Sequence, residues 1–197
     1  MRGAEKLPAE ADSPVRTRIL AAARQRFADF GYRRTGIAEI ARDAGIAPGT
    51  VYRYFANKEE VFRAVMQDGL ARWLATARRV VTAPGTAVER LARLAQASLE
   101  FNRDDPLLHS VYRRDEEIIF APLLEELHGE LVRENVAMIA GVIRAGIRDG
   151  TFRRVDPERA AFILFSGGDA LSNQRRYSYD EVLPLYSEIV MNGLLPR

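Results

Sequence analysis

RILAAARQRFADFGYRRTGIAEIARDAGIAPGTVYRYFANKE, residues 18–59, packs three helical segments and their turns into a short span, and its reading decides the fold. The first helix opens just before it at Ser13-Pro14. A capping hydroxyl is followed there by a proline at the first helical position, where no backbone N–H is needed. Ile19, Ala22, Ala23, Phe27 and Phe30, with the stem of Arg26, recur at i, i+3, i+4 spacing, and Gly31 reads as the stop. A short second helix is expected from Ile37 to Ala44, with Thr35 as N-cap, Ile37, Ile40 and Ala41 inward, and Gly45 as a left-handed stop. A third begins at Pro48. It is too short to persist alone, so Val51 and Phe55 must pack it, leaving Gly49, Thr50, Arg53 and Tyr54 outward. The fourth opens at Asn57, with Glu60 three residues on as in a capping box, and its period lasts to about Val81.

Two short helices about the turn at Gly45, preceded by a longer apolar helix, form a three-helix head of helix-turn-helix type. Its exposed face suits a major groove. Gly49 clears space where a helix N-terminus approaches DNA, Thr50 offers a hydroxyl and a methyl, and Arg53 carries the planar fork that matches guanine's two acceptors. Tyr52, Tyr54 and Lys58 suit phosphate oxygens.

The same residues resemble the TetR family of transcriptional regulators. The first helix ends F-x-x-F-G-Y, T-x-I-x-x-I-A-x-x-A-G follows, and the stretch closes on G-T-V-Y-x-Y-F-x-x-K-E. The resemblance implies two all-α domains, a homodimer formed through the last two helices as a four-helix bundle, and a repressor released by a ligand. Carried over by position, it implies phosphate contacts for Thr35, Tyr52, Tyr54 and Lys58, and base-edge positions for Ala47, Pro48, Gly49 and Arg53. Pro48 stands where Lys or another polar residue is common in the family, and Tyr54 stands where His is common.

Composition agrees with such a division of labour. Residues 1–58 carry eleven Lys/Arg against six Asp/Glu, net +5, whereas the remainder carries 18 against 21, net −3. A basic head on a mildly acidic body is the electrostatic footprint of a polyanion-binding module. With no Cys there is no disulfide framework, thiolate nucleophile or zinc finger, and the two His lack any metal-binding spacing. No apolar run reaches membrane-spanning length and no export signal opens the chain, so a cytoplasmic protein without membrane contact is expected. The paired carboxylates Asp104-Asp105, Glu116-Glu117 and Glu125-Glu126 read as solvated helix faces, because helical neighbours point about 100° apart. No phosphate loop or nucleophile motif is present, so neither an enzyme nor a cofactor is expected.

The sequence thus predicts an all-α chain: a head over 1–57, with 1–12 as a flexible arm, then a ligand-sensing and dimerisation domain over 58–197. Helices are expected at about 86–102, 105–120, 122–148, 157–173 and 179–194. Trp73, Phe101, His109, Tyr112, Phe120, Met138, Phe162, Asp169 and Asn173 are candidates to line an effector cavity, although the large apolar ones equally suit a core. Phe162, Phe165, Leu185, Ile189 and Val190 are expected across a dimer two-fold. The implied partners are palindromic operator DNA, a small-molecule effector and a second copy of the chain. The competing reading is a helical carrier or enzyme that keeps the head as scaffold.

Overall fold

The computed structural model describes residues 13–105, 107, 116–173 and 176–196, with the side chains of 116–119, 172–173 and 179–180 left aside. Among the described residues the chain forms eight helices and no strand: α1 (Pro14–Arg34), α2 (Ile37–Asp43), α3 (Pro48–Tyr54), α4 (Lys58–Thr82), α5 (Ala87–Asp104), α6 (Glu116–Arg148), α7 (Pro157–Asn173) and α8 (Tyr179–Leu194). None of them is long and apolar enough to cross a membrane.

Local chemistry accounts for most of the boundaries. Ser13 Oγ accepts from the Val15 N–H at the start of α1, with Pro14 at the first helical position. Capping boxes open α5, where Thr86 and Glu89 bond each other's backbone N–H, and α8, where Ser178 and Glu181 do the same. Asp156 Oδ1 accepts from the Arg159 N–H ahead of α7, and Gly150, at φ +82°, takes the left-handed turn after α6.

The expected break between 105–120 and 122–148 is not there: α6 runs through Pro122. A proline inside a helix removes one N–H and crowds the preceding turn, a cost of about 3 kcal/mol. Phe120, Leu123, Leu124 and Leu127 around it are all buried, and burial of large apolar side chains is worth about 1.5–3 kcal/mol each. Packing outweighs the proline. Of the expected 105–120 helix, Asp105 closes α5, while residues 106 and 108–115 lie outside the described residues.

The described residues fall into two compact units. Residues 13–69 group with 107 and 116–123, and residues 70–105 group with 124–173 and 176–196. The first unit is built on Ile19, Phe27, Ile40, Val51, Phe55 and Phe62; the second on Trp73, Leu91, Leu127, Ile139, Ile143 and Leu183. The first therefore extends beyond the 1–57 segment expected for the head.

Candidate nucleic-acid interface

The turn joining α2 to α3 is fixed by backbone chemistry. Gly45, at φ +65°, donates to the Arg42 carbonyl at 3.1 Å, and Ile46 N–H reaches back to the Ala41 carbonyl at 3.0 Å. These two bonds make a Schellman motif, which satisfies the orphan carbonyls of α2 and needs the left-handed residue that glycine supplies without strain. Ala47 and Pro48 then start α3, whose Val51 is fully buried while Phe55 closes it against the core. On the opposite face Ala47, Pro48, Gly49, Tyr52 and Arg53 are exposed and Thr50 is half-buried. No atom lies within 4 Å of a Cβ built on Gly49, so that helix end is open. α1 is pinned to α2 by Arg26, whose guanidinium spans both Asp43 carboxylate oxygens at 2.5 and 3.1 Å. That hydrogen-bonded pair holds the Asp43 carboxyl below its ordinary range.

The four residues with an expected phosphate role are placed differently from one another. Tyr52 is exposed. Tyr54 is half-buried, and its hydroxyl bonds Ser13 Oγ at 2.9 Å, tying the end of α3 to the cap of α1. Lys58 Nζ donates to the Tyr32 carbonyl at 2.9 Å and sits 4.2 Å from the Tyr32 ring centroid. Burial lowers its pKa, against a raising influence from Glu39. Thr35 corrects the reading: only 1% exposed, it is not the N-cap of α2, a place taken by Gly36 without any side-chain bond. Its hydroxyl lies 2.8 Å from the Gly31 carbonyl and 3.3 Å from that of Arg26, so it closes α1 instead, and a buried hydroxyl turned onto carbonyls offers nothing to a phosphate. Gly31, at φ 79° and ψ 168°, breaks the helical conformation, yet α1 resumes to Arg34. Phe30, expected inward, is exposed beside Arg26. At the start of α4, Asn57 caps the Glu60 N–H as expected, but the Glu60 carboxylate reaches the N–H of Ala56 rather than that of Asn57.

In the second unit Trp73 packs on Phe101 with ring centroids 5.4 Å apart and donates its indole N–H to Asn135 Oδ1 at 3.2 Å. Asn135 is buried on α6 and passes a second bond to the Leu131 carbonyl at 2.8 Å. Sequence reading missed it, although it falls in the apolar stripe of Leu131 and Ile139, the signal of an inward polar group. Asp105, expected on a solvated face, is buried at the end of α5 and bonded to Arg72. Met138 and Asp169 are half-buried. Phe120 is brought together not with Trp73 but with the aromatic cluster of the first unit, Phe27, Tyr32 and Phe62. Phe162 is exposed on α7, with Ile163, Leu185 and Ile189 also outward, while Phe165 and Val190 are half-buried. His109 and Tyr112 lie outside the described residues, as does the side chain of Asn173.

Comparison with known proteins meets this geometry at both ends of the chain. Residues 19–65 match the family described as "Bacterial regulatory proteins, tetR family", and residues 84–173 match "Tetracyclin repressor-like, C-terminal domain". The chain is 33% identical to the HTH-type transcriptional regulator RutR of Escherichia coli, over 75% of this chain and 69% of that one. It is 30% identical to the HTH-type transcriptional regulator YhgD of Bacillus subtilis, over 74% of this chain and 76% of the other. Among solved structures, a transcriptional regulator from Cytophaga hutchinsonii shares the fold at a TM-score of 0.76 and 20% identity, covering 90% of this chain and 97% of that one. FadR from Bacillus subtilis, solved in complex with stearoyl-CoA, shares it at 0.69 and 22%, covering 90% and 98%. With a helix-turn-helix head and relatives that regulate transcription, this chain belongs to the TetR family of bacterial regulatory proteins.

Proposed function

We propose that this protein is a cytoplasmic homodimeric repressor that holds palindromic operator DNA through two copies of α3 and releases it when a small molecule binds the second unit. The observation that carries the reading is the exposed row Ala47, Pro48, Gly49, Tyr52 and Arg53 on a helix locked by the Gly45 turn. Arg53 there reads a base edge, and Lys58 and Tyr52 face phosphates, which fix register without carrying sequence information. The outward apolar side chains of α7 and α8 supply the dimer seam. For the effector site we take the candidates Trp73, Phe101 and Met138 of the second unit, where Trp73 packs on Phe101.

Fluorescence anisotropy with a labelled duplex from the promoter region of the protein's own gene tests the reading. Affinity well above that for a scrambled duplex is expected. An effector that prefers the non-binding conformation weakens it by the coupling factor, typically about 5–150-fold. Because one structural relative was solved with stearoyl-CoA, that acyl thioester is the first probe to add. Equal affinity for promoter and scrambled duplexes contradicts operator recognition.

A further inference from the structure

Phe120 lies on α6, sixty-two residues beyond Lys58 in the chain, yet it is buried inside the unit that carries the helix-turn-helix. Its ring stacks on Phe62 of α4, with centroids 4.3 Å apart, and meets Tyr32 edge-on at 4.7 Å and 82°. Tyr32 in turn supports Lys58 in two ways: its carbonyl accepts from Nζ at 2.9 Å and its ring lies 4.2 Å from the ammonium. Tyr32 follows Gly31, where helical conformation is interrupted, and its carbonyl also accepts from the Thr35 N–H at 3.3 Å. Phe62 and Phe27, at 5.4 and 5.9 Å, hold other parts of the ring. Aromatic pairs at such separations are worth about 0.5–1.5 kcal/mol beyond their buried area, enough to choose one ring position over another.

We infer that Phe120 is a positioning residue for DNA binding: its ring holds Tyr32, and Tyr32, through carbonyl and ring face, aims the Lys58 ammonium at the DNA backbone. The inference rests on the phosphate role proposed for Lys58. A residue of α6 thereby sets an electrostatic contact of the head without itself touching DNA.

Salt dependence tests it, because removing a phosphate contact changes a slope that mere loss of folded protein leaves alone. Each contact contributes about 0.9 to the slope of log K against log salt, so a dimer losing Lys58 twice loses about 1.8. Anisotropy titrations of the labelled promoter-region duplex are run over a range of salt with wild type, Lys58→Ala, Phe120→Ala and the double variant. The expected result is the same slope reduction for both single variants and no further reduction for the double. Phe120→Tyr, which keeps the ring, is expected to retain the wild-type slope. Should circular dichroism show Phe120→Ala unfolded, Phe120→Leu replaces it under the same criteria. If Lys58→Ala lowers the slope but the Phe120 variant does not, the inference is overturned while the Lys58 reading stands. An additive double variant overturns it equally. An unchanged slope in Lys58→Ala overturns the phosphate reading and this inference with it.

Discussion

Ile189→Asp puts a charge on the face of α8 proposed to meet its two-fold mate. In the single chain Phe162, Ile163, Leu185 and Ile189 stand 53%, 64%, 58% and 62% exposed. Full burial of such a side chain is worth about 1.5–3 kcal/mol, so covering the exposed part recovers roughly 1–1.5 kcal/mol each. Eight of them across a symmetric seam contribute roughly 8–12 kcal/mol of the apolar burial that drives association. Ile189→Asp forfeits about 2 kcal/mol of burial over both protomers and adds two carboxylates, each costing several kcal/mol to desolvate without a partner. The loss exceeds about 5 kcal/mol, which raises the dimer dissociation constant by more than about a thousandfold. Sedimentation velocity at micromolar concentration is expected to show dimers for the wild type and monomers for the variant, with operator affinity falling in parallel. A variant that stays dimeric with operator binding intact places the seam elsewhere.

Arg53→Ala is expected to flatten the preference between operator and single-base operator variants, measured by competition binding, by about 1–3 kcal/mol at the position it reads; an equal loss on all sequences makes Arg53 a phosphate contact. Lys58 has a folded-state pKa below the ordinary 10.5, lowered first by burial. The folded chain therefore releases this proton first, so between the folded value and 10.5 the stability contributed by Lys58 rises with pH while its phosphate charge is lost. Operator affinity is expected to fall through that alkaline interval in the wild type and to hold in Lys58→Arg; parallel pH curves contradict this. Gly167→Ala places a Cβ about 2.3 Å from the Tyr186 hydroxyl, which lies 2.8 Å from the carbonyls of both Ile163 and Leu164. Displacing that ring costs about 1–3 kcal/mol in overpacking and about 1 kcal/mol in hydrogen bonding. A lowered melting temperature by circular dichroism is expected, and an unchanged one refutes the close packing of α7 on α8.

Where sequence reading placed helix ends well, a local cap decided them. Ser13-Pro14, Gly45, Ala47-Pro48 and Asp156-Pro157 act within a turn of the chain, and α7 and α8 fall on the expected 157–173 and 179–194. Where it failed, burial or a partner that the local pattern does not reveal had decided the outcome. Pro122 reads as a break until the buried residues around it are weighed, and Thr35 reads as a cap until Gly31 and Arg26 turn their carbonyls toward it. Asp105 and Asn135 look like surface residues because Arg72 and Trp73 lie 33 and 62 positions away. The exposed row on α3 was legible in part. Val51 and Phe55 leave a two-turn helix one face to present, on which Gly49 and Arg53 are exposed as expected, whereas Thr50 and Tyr54, also expected outward, are half-buried.

Two copies of α3 reading one palindrome leave a symmetric imprint, which hydroxyl-radical footprinting of the promoter region of the protein's own gene records. Two protected patches related by a two-fold axis are expected, with half-site centres about 34–36 Å apart or somewhat more, as successive major grooves require, and loss of both patches together in Ile189→Asp. A single unsymmetrical patch, or protection that persists when the protein is monomeric, would contradict this reading.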